Sequence, residues 1–282
     1  MLWSASALKR HCAFPNVLGK RPPPPEIAAK ARELLATWDG VGEIDTTTVR
    51  DGLVRKLVNQ HVSVERGRSF HAAVEDWQRS MSESPFSSDL ELQGWLDLLA
   101  SQWSPPPNAR FELAWGLGED GSHIEVVEPE PHVYRPVAGG AALLTAGRLD
   151  IEWAQRLARP LLPLGNETVV LNVADWKTGA WPVTPAEMNL QVNAAGIARA
   201  NKLGLIFYRP GIYYARDGYW DWGPVVEVGS YEYRSILEDV REAATLPAEP
   251  VPGPWCDGCW DRKACPKAGQ YIPAPSDDDC PF

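Results

Sequence analysis

The sequence lacks any apolar run long enough to cross a bilayer, which takes about 20 consecutive residues. Its opening segment, MLWSASALKRHC, has no apolar stretch of signal-peptide length, and its basic pair follows the apolar residues instead of preceding them. No membrane association is expected, and the chain reads as cytoplasmic. Positive charge is also scarce: 27 Lys and Arg against 37 Asp and Glu leave a net charge of −10. That argues against a protein coating nucleic acid through bulk charge. It leaves room for an enzyme with a local basic track beside a carboxylate-built metal site. Cysteines number only five. In a reducing compartment, grouped cysteines point to metal or redox chemistry and not to disulfides. Internal repeats and extended low-complexity segments are absent as well.

What is present fits one substantial domain: 282 residues, 44% of them hydrophobic, suffice for a well-buried core. The thirteen tryptophans suit either that core or base stacking. The chain divides into an N-terminal helix and linker (1–25), a mainly helical region (26–104), a strand-rich core (105–246) and a cysteine-bearing end with an acidic tail (247–282). The helical region holds a helix over 26–38, after four prolines, and the segment RGRSFHAAVEDW, where Phe70, Val74 and Trp77 recur at helical spacing. In the core, FELAWGL, SHIEVVE, AALLTAGRLD, TVVLNVADWK, LGLIFYR, GIYYAR and PVVEVG read as strands, with helices over 185–201 and 231–244. Strands flanked by helices, with Asp150 and Asp175 at strand ends, predict an α/β sandwich around a mixed sheet.

The strongest chemical signal lies in VVLNVADWKTG. A strand's period of two puts Asp175 and Lys177 on one face and Trp176 on the other. A carboxylate from a neighbouring strand, Asp150, can meet them there. Two carboxylates offer hard oxygen ligands to Mg²⁺ or Mn²⁺. A lysine beside them can orient and help deprotonate a water for attack on phosphorus, or neutralise charge on the phosphate oxygens. D-x-K alone is a weak pattern, equally at home as a surface salt bridge.

Taken in order, several segments resemble the RecB-like nucleases of the PD-(D/E)XK superfamily, including the iron–sulfur exonucleases associated with CRISPR systems. RGRSFH looks like the family's G-x-x-x-H helix through Gly67 and His71, GRLD supplies Asp150, and DWKTG supplies Asp175 and Lys177. LQVNAAGIA stands in place of the Q-x-x-x-Y helix, with Gln191 as the glutamine and Ala195 where tyrosine is usual. The resemblance implies a restriction-endonuclease-like mixed central sheet flanked by helices, with a helical insertion. It implies metal ligation by His71, Asp150 and Asp175, with the Trp176 carbonyl as a further ligand, and catalysis by Asp150, Asp175, Lys177 and Gln191. It further implies DNA as substrate, single-stranded or with a free end, and a helicase, recombination or CRISPR-adaptation partner. Glu112, in RFELAW, lies where the family often carries an acidic strand residue and is treated as secondary.

Cys256, Cys259 and Cys265 form a C-x2-C-x5-C pattern that lacks a fourth ligand. By the same resemblance, SASALKRHC matches an N-terminal S-x-S-x-L-x-x-x-C segment, which makes Cys12 the fourth. Four thiolates suit a 4Fe–4S cluster or zinc, and either would form a cap joining the two ends of the chain. Cys280 is left over in the tail. The expected function is a Mg²⁺- or Mn²⁺-dependent deoxyribonuclease with a structural 4Fe–4S cluster. The alternative is a non-cutting DNA-binding or scaffold subunit with zinc in its place.

Overall fold

The structure, a computed structural model, describes residues 25–40, 44–47, 49–130, 133–137, 142–157, 168–179, 183–245, 265 and 267. The helical region holds α1 (Pro25–Leu35), α2 (Gly52–Ser80) and α3 (Leu90–Gln102). Asp51 starts α2 by accepting from the amides of Leu53 and Val54, and Asp89 starts α3 by accepting from those of Glu91 and Leu92. Each satisfies amides that the first helical turn leaves without partners. The long helix α2 serves two clusters. Val54, Val58 and Val62 pack with α1, while Phe70, Val74 and Trp77 pack with α3 and the sheet. The helix expected near Ser4 lies outside the described residues.

The strands are β1 (Arg110–Gly118), β2 (His123–Ile124), β3 (Val126–Glu130), β4 (Val133–Pro136), β5 (Leu143–Arg156), β6 (Val169–Lys177), β7 (Phe207–Tyr214), β8 (Tyr219–Trp222) and β9 (Val226–Glu227). Among the described residues, seven of them form one sheet in the order β2-β1-β5-β6-β7-β8, with β9 beside β7, while β3 and β4 form a separate hairpin. Of the strand pairs in this sheet among the described residues, only β6–β7 is parallel. It is bridged by a 3-10 turn (Ala186–Met188) and α4 (Leu190–Leu203), the kind of crossover a parallel pair requires. The last helix is α5 (Tyr231–Thr245).

This is a mixed α/β fold with a mixed central sheet between two helical layers. On one face α4 and α5 cover Trp115, Leu117, Leu149, Leu171, Val173 and Tyr208. On the other, α2 and α3 cover Ile151, Trp153, Ala174, Trp176 and Tyr213. Trp77, Trp95, Trp115, Trp153 and Trp176 are buried, so these five tryptophans belong to the core. Among the described residues no helix is long and apolar enough to cross a membrane.

Three local readings differ from the structure. Asp150 lies well inside β5 and not at its end, because buried Ile151 and Trp153 continue the strand beyond it. LGLIFYR and GIYYAR form one strand, β7, across Pro210 and Gly211. Gly211 is opposite Trp222, whose ring occupies the space a Cβ would need. The segment SHIEVVE splits at Glu125 into β2 and β3, which join different sheets.

Candidate functional site

The site forms where β1 and β5 change layers. Their ladder pairs Phe111 with Ile151 and Leu113 with Leu149, which sets Glu112 opposite Asp150. Phe111, Ile151 and Trp153 pack with α2 and α3, whereas Trp115, Leu117 and Leu149 pack with α4 and α5. At the crossing point Glu112 has φ +50, a left-handed conformation inside a strand. Such a residue costs on the order of 1–3 kcal/mol and persists only where its surroundings enforce it.

The β5–β6 ladder stops at Ile151/Ala174, one pair short of Asp150/Asp175. Beyond it the Trp176 amide donates to Asp150 Oδ2 at 2.7 Å. The strands part at the two aspartates, beside a cleft of about 620 Å³ lined by His71, Glu112, Arg148, Asp150 and Gln191 among others. His71 reaches it from α2. One turn earlier on the same helix face, Gly67 lies so close to the end of β6 that a Cβ there would sit 3.0 Å from Thr178 Oγ1. A larger residue there would require the Thr178 side chain to give way.

His71 bridges the two carboxylates, with Nδ1 3.0 Å from Glu112 Oε1 and Nε2 3.7 Å from Asp150 Oδ2. One ligand atom from each of His71, Glu112 and Asp150 lies within 4.8 Å of the others. Asp175 is engaged by different partners. Its Oδ1 accepts from Gln191 Nε2 at 2.9 Å, and its Oδ2 contacts the Lys177 ammonium. Gln191 is set in the first turn of α4 by the Asn189 cap. Ala195, on the same helix, is buried in the core beneath it. Arg148, two residues before Asp150, lies 3.4 Å from Glu112 and is held from the other side by Glu128 on the β3–β4 hairpin.

Burial would depress the His71 imidazole, but Asp150, Glu112 and Asp175 outweigh it and raise its pKa to about 9. Burial, reinforced by Asp175, pushes Asp150 up to about 7 against the opposing pull of His71, Lys177 and the Trp176 amide. For Glu112, burial is outweighed by the His71 contact and Arg148, which hold its carboxyl below the usual value. Burial opposes the Lys177 charge as well, yet Asp175 keeps the ammonium above its ordinary pKa. The cleft lining carries more carboxylates, Glu75, Glu112, Glu128, Glu130 and Asp150, than cations, Arg68, His71 and Arg148.

The sequence-derived residues His71, Asp150, Asp175, Lys177 and Gln191 thus meet in one place. Trp176 contributes its amide to Asp150, and its ring packs in the core. Glu112 belongs with them more closely than its motif suggested, since it completes the three-residue ligand group. The signal for it was a lone acid inside the apolar run FELAW. Cys12, Cys256 and Cys259 lie outside the described residues, and Cys265 is described as half-buried. No protein-family model matches the chain, and no curated protein sequence matches it.

Proposed function

We propose that the chain is a metal-dependent deoxyribonuclease of the PD-(D/E)XK type. The observation that carries this reading is the convergence of His71, Glu112 and Asp150, with ligand atoms within 4.8 Å of one another, beside the Asp175–Lys177 pair. One imidazole nitrogen with carboxylate oxygens suits a divalent ion that accepts both donor types, Mn²⁺ more readily than Mg²⁺. The donor set fits such an ion in charge too, because a dication beside Asp150 would offset the burial and the neighbouring Asp175 that together push its carboxyl up to about 7. His71, Glu112 and Asp150 would hold it. A bound divalent ion supplies Lewis-acid polarisation and a lowered water pKa.

The protein's own groups act around that point. Lys177, kept cationic by Asp175, is suited to neutralise charge on phosphate oxygens and less suited to accept a proton. Gln191 fixes Asp175 through its amide and so fixes the lysine. The acidic cleft repels a phosphodiester until its charge is offset, which makes substrate binding itself depend on the ion. The reading extends, on the same family resemblance, to a 4Fe–4S cluster on Cys12, Cys256, Cys259 and Cys265, of which the C-x2-C-x5-C spacing itself speaks for the last three. It also extends to action on single-stranded or free-ended DNA in the cytoplasm, alongside a helicase, recombination or CRISPR-adaptation partner.

The test is incubation of anaerobically purified protein with end-labelled single- and double-stranded DNA, with Mn²⁺, with Mg²⁺ and with chelator. Cleavage that requires the metal is expected. DNA binding without cleavage under every condition would favour the scaffold alternative.

A further inference from the structure

Lys177, Tyr214 and Tyr219 occupy one row across three neighbouring strands. Lys177 is in register with Tyr214 across β6–β7, and Tyr214 with Tyr219 across β7–β8. Residues in register share a sheet face, so both rings lie on the face that carries Asp175 and Lys177. The two tyrosines stack, with ring centroids 4.7 Å apart and planes inclined by 19°. Tyr214 is the anchored member: it is buried against Ala186 and Ile212, and its hydroxyl donates to the Val183 carbonyl at 3.3 Å. Tyr219 is 44% exposed, and β8 ends the sheet path, so among the described residues no further strand supplies a ring for its outer side. The neighbouring aromatics of β8, Trp220 and Trp222, point to the opposite face and pack with the tryptophan cluster there.

A cross-strand aromatic pair can exist simply to stabilise a hairpin. Here, however, the exposed ring continues a row that begins at the candidate catalytic lysine. Strands lie about 4.8 Å apart, which puts Tyr219 roughly 10 Å from Lys177 along the sheet. That is the reach of a nucleotide adjacent to a phosphate held at Asp175 and Lys177. We propose that Tyr219, backed by Tyr214, is a stacking platform for a nucleobase next to the scissile phosphate. A base can use such a platform only when it is free of its duplex neighbours, as in a single strand or a frayed end. The inference rests on the nuclease reading for the position of the phosphate.

Binding of a fluorescent single-stranded DNA oligonucleotide, followed by anisotropy with Mn²⁺, tests it. A Lys177→Ala background keeps the strand intact. Stacking predicts that Tyr219→Ala weakens binding by about 5- to 100-fold. Tyr219→Phe should stay within about twofold of the parent. On an abasic strand of equal length, Tyr219→Ala should then cost almost nothing. Equal affinity of parent and Tyr219→Ala for the ordinary strand would overturn the platform, as would an equal loss on the abasic strand or a parent that binds no strand. The outcomes also separate the two claims. Metal-dependent cleavage with no dependence on Tyr219 would sink the platform alone. Base-dependent binding through Tyr219, without cleavage by the protein that retains Lys177, would sink the nuclease alone.

Discussion

His71 illustrates how a residue's meaning depends on its neighbours. On its helix it follows Phe70 in an apolar sector, where a satisfied core histidine would look the same in sequence. Its contacts with Glu112 and Asp150 distinguish it, and those partners come from strands that follow much later in the chain. His71→Ala should therefore raise the Mn²⁺ concentration needed for half-maximal binding on the order of tenfold or more, beyond whatever thermal stability its contacts with the two carboxylates contribute. Calorimetric titration and thermal melting together check this. An unchanged titration with a lower melting temperature would return His71 to the core. The sign of the pH response follows from the same group. A histidine whose pKa rises from 6.5 to about 9 contributes stability below pH 6.5 that is lost as pH climbs through 9. Asp150, raised from 3.8 to about 7, makes the metal-free fold less stable as pH rises through that range. Metal-free protein should thus melt at lower temperature as pH rises toward 9. Added Mn²⁺ should counter the fall, since its ligands must be deprotonated. Parallel melting curves with and without Mn²⁺ across that range would contradict it.

Among the elements, β6 was legible because its apolar run and D-x-K ending share the strand period. The extent of β5 was not, because Asp150 looked like a terminus. A charged residue inside a strand is tolerated only where the fold supplies partners, and those partners are non-local. The short strand β8 (Tyr219–Trp222) was missed for a related reason: YWDW has no alternation of polar and apolar residues, and its pairing with β7 sets its role. The layer change at Glu112 is equally invisible in sequence, because it depends on two strands bending together. A second non-local device ties β5 to α4. Glu152, fully buried, takes two bonds from Arg199, at 2.7 and 2.8 Å, and a contact from Arg110. Arg199→Ala leaves this buried carboxylate to the half-exposed Arg110 and should destabilise the fold by up to about 3–5 kcal/mol. The paired replacement Glu152→Leu with Arg199→Met should cost much less, because no buried charge is left behind. Urea denaturation of both variants decides it, and equal losses would contradict the ion-pair account.

Over the whole molecule, the mixed α/β class followed from the order of helical and alternating segments, and the described core bears it out. The tryptophans were ambiguous in composition. Trp77, Trp103, Trp153, Trp176, Trp220 and Trp222 now form one continuous ring network between β5–β8 and the helices, at centroid separations of 4.7 to 6.2 Å. The cysteine arrangement belongs to the two ends of the chain, where the family resemblance carries the expectation for Cys12 and the spacing that for Cys256, Cys259 and Cys265. Cys280 is nearer in sequence to the C-terminal three than Cys12, but each doubling of loop length costs only about 0.6 kcal/mol, so proximity decides little. Serine replacement of Cys12 should remove iron and sulfide from anaerobic protein, and replacement of Cys280 should not. Loss at Cys280 with retention at Cys12 would reverse the assignment, and zinc without sulfide would replace the cluster. The central claim is that the Asp175–Lys177 strand end, beside the His71–Glu112–Asp150 group, is a phosphodiester-cleaving centre. It is tested most directly by single-turnover cleavage of an end-labelled single strand at saturating Mn²⁺, comparing the natural sequence with Lys177→Ala. The account predicts metal-dependent cleavage that slows on the order of 100- to 1,000-fold in the variant while Mn²⁺ binding persists. Cleavage by the variant within a few-fold of the natural sequence would contradict it, as would a natural sequence that does not cut at all.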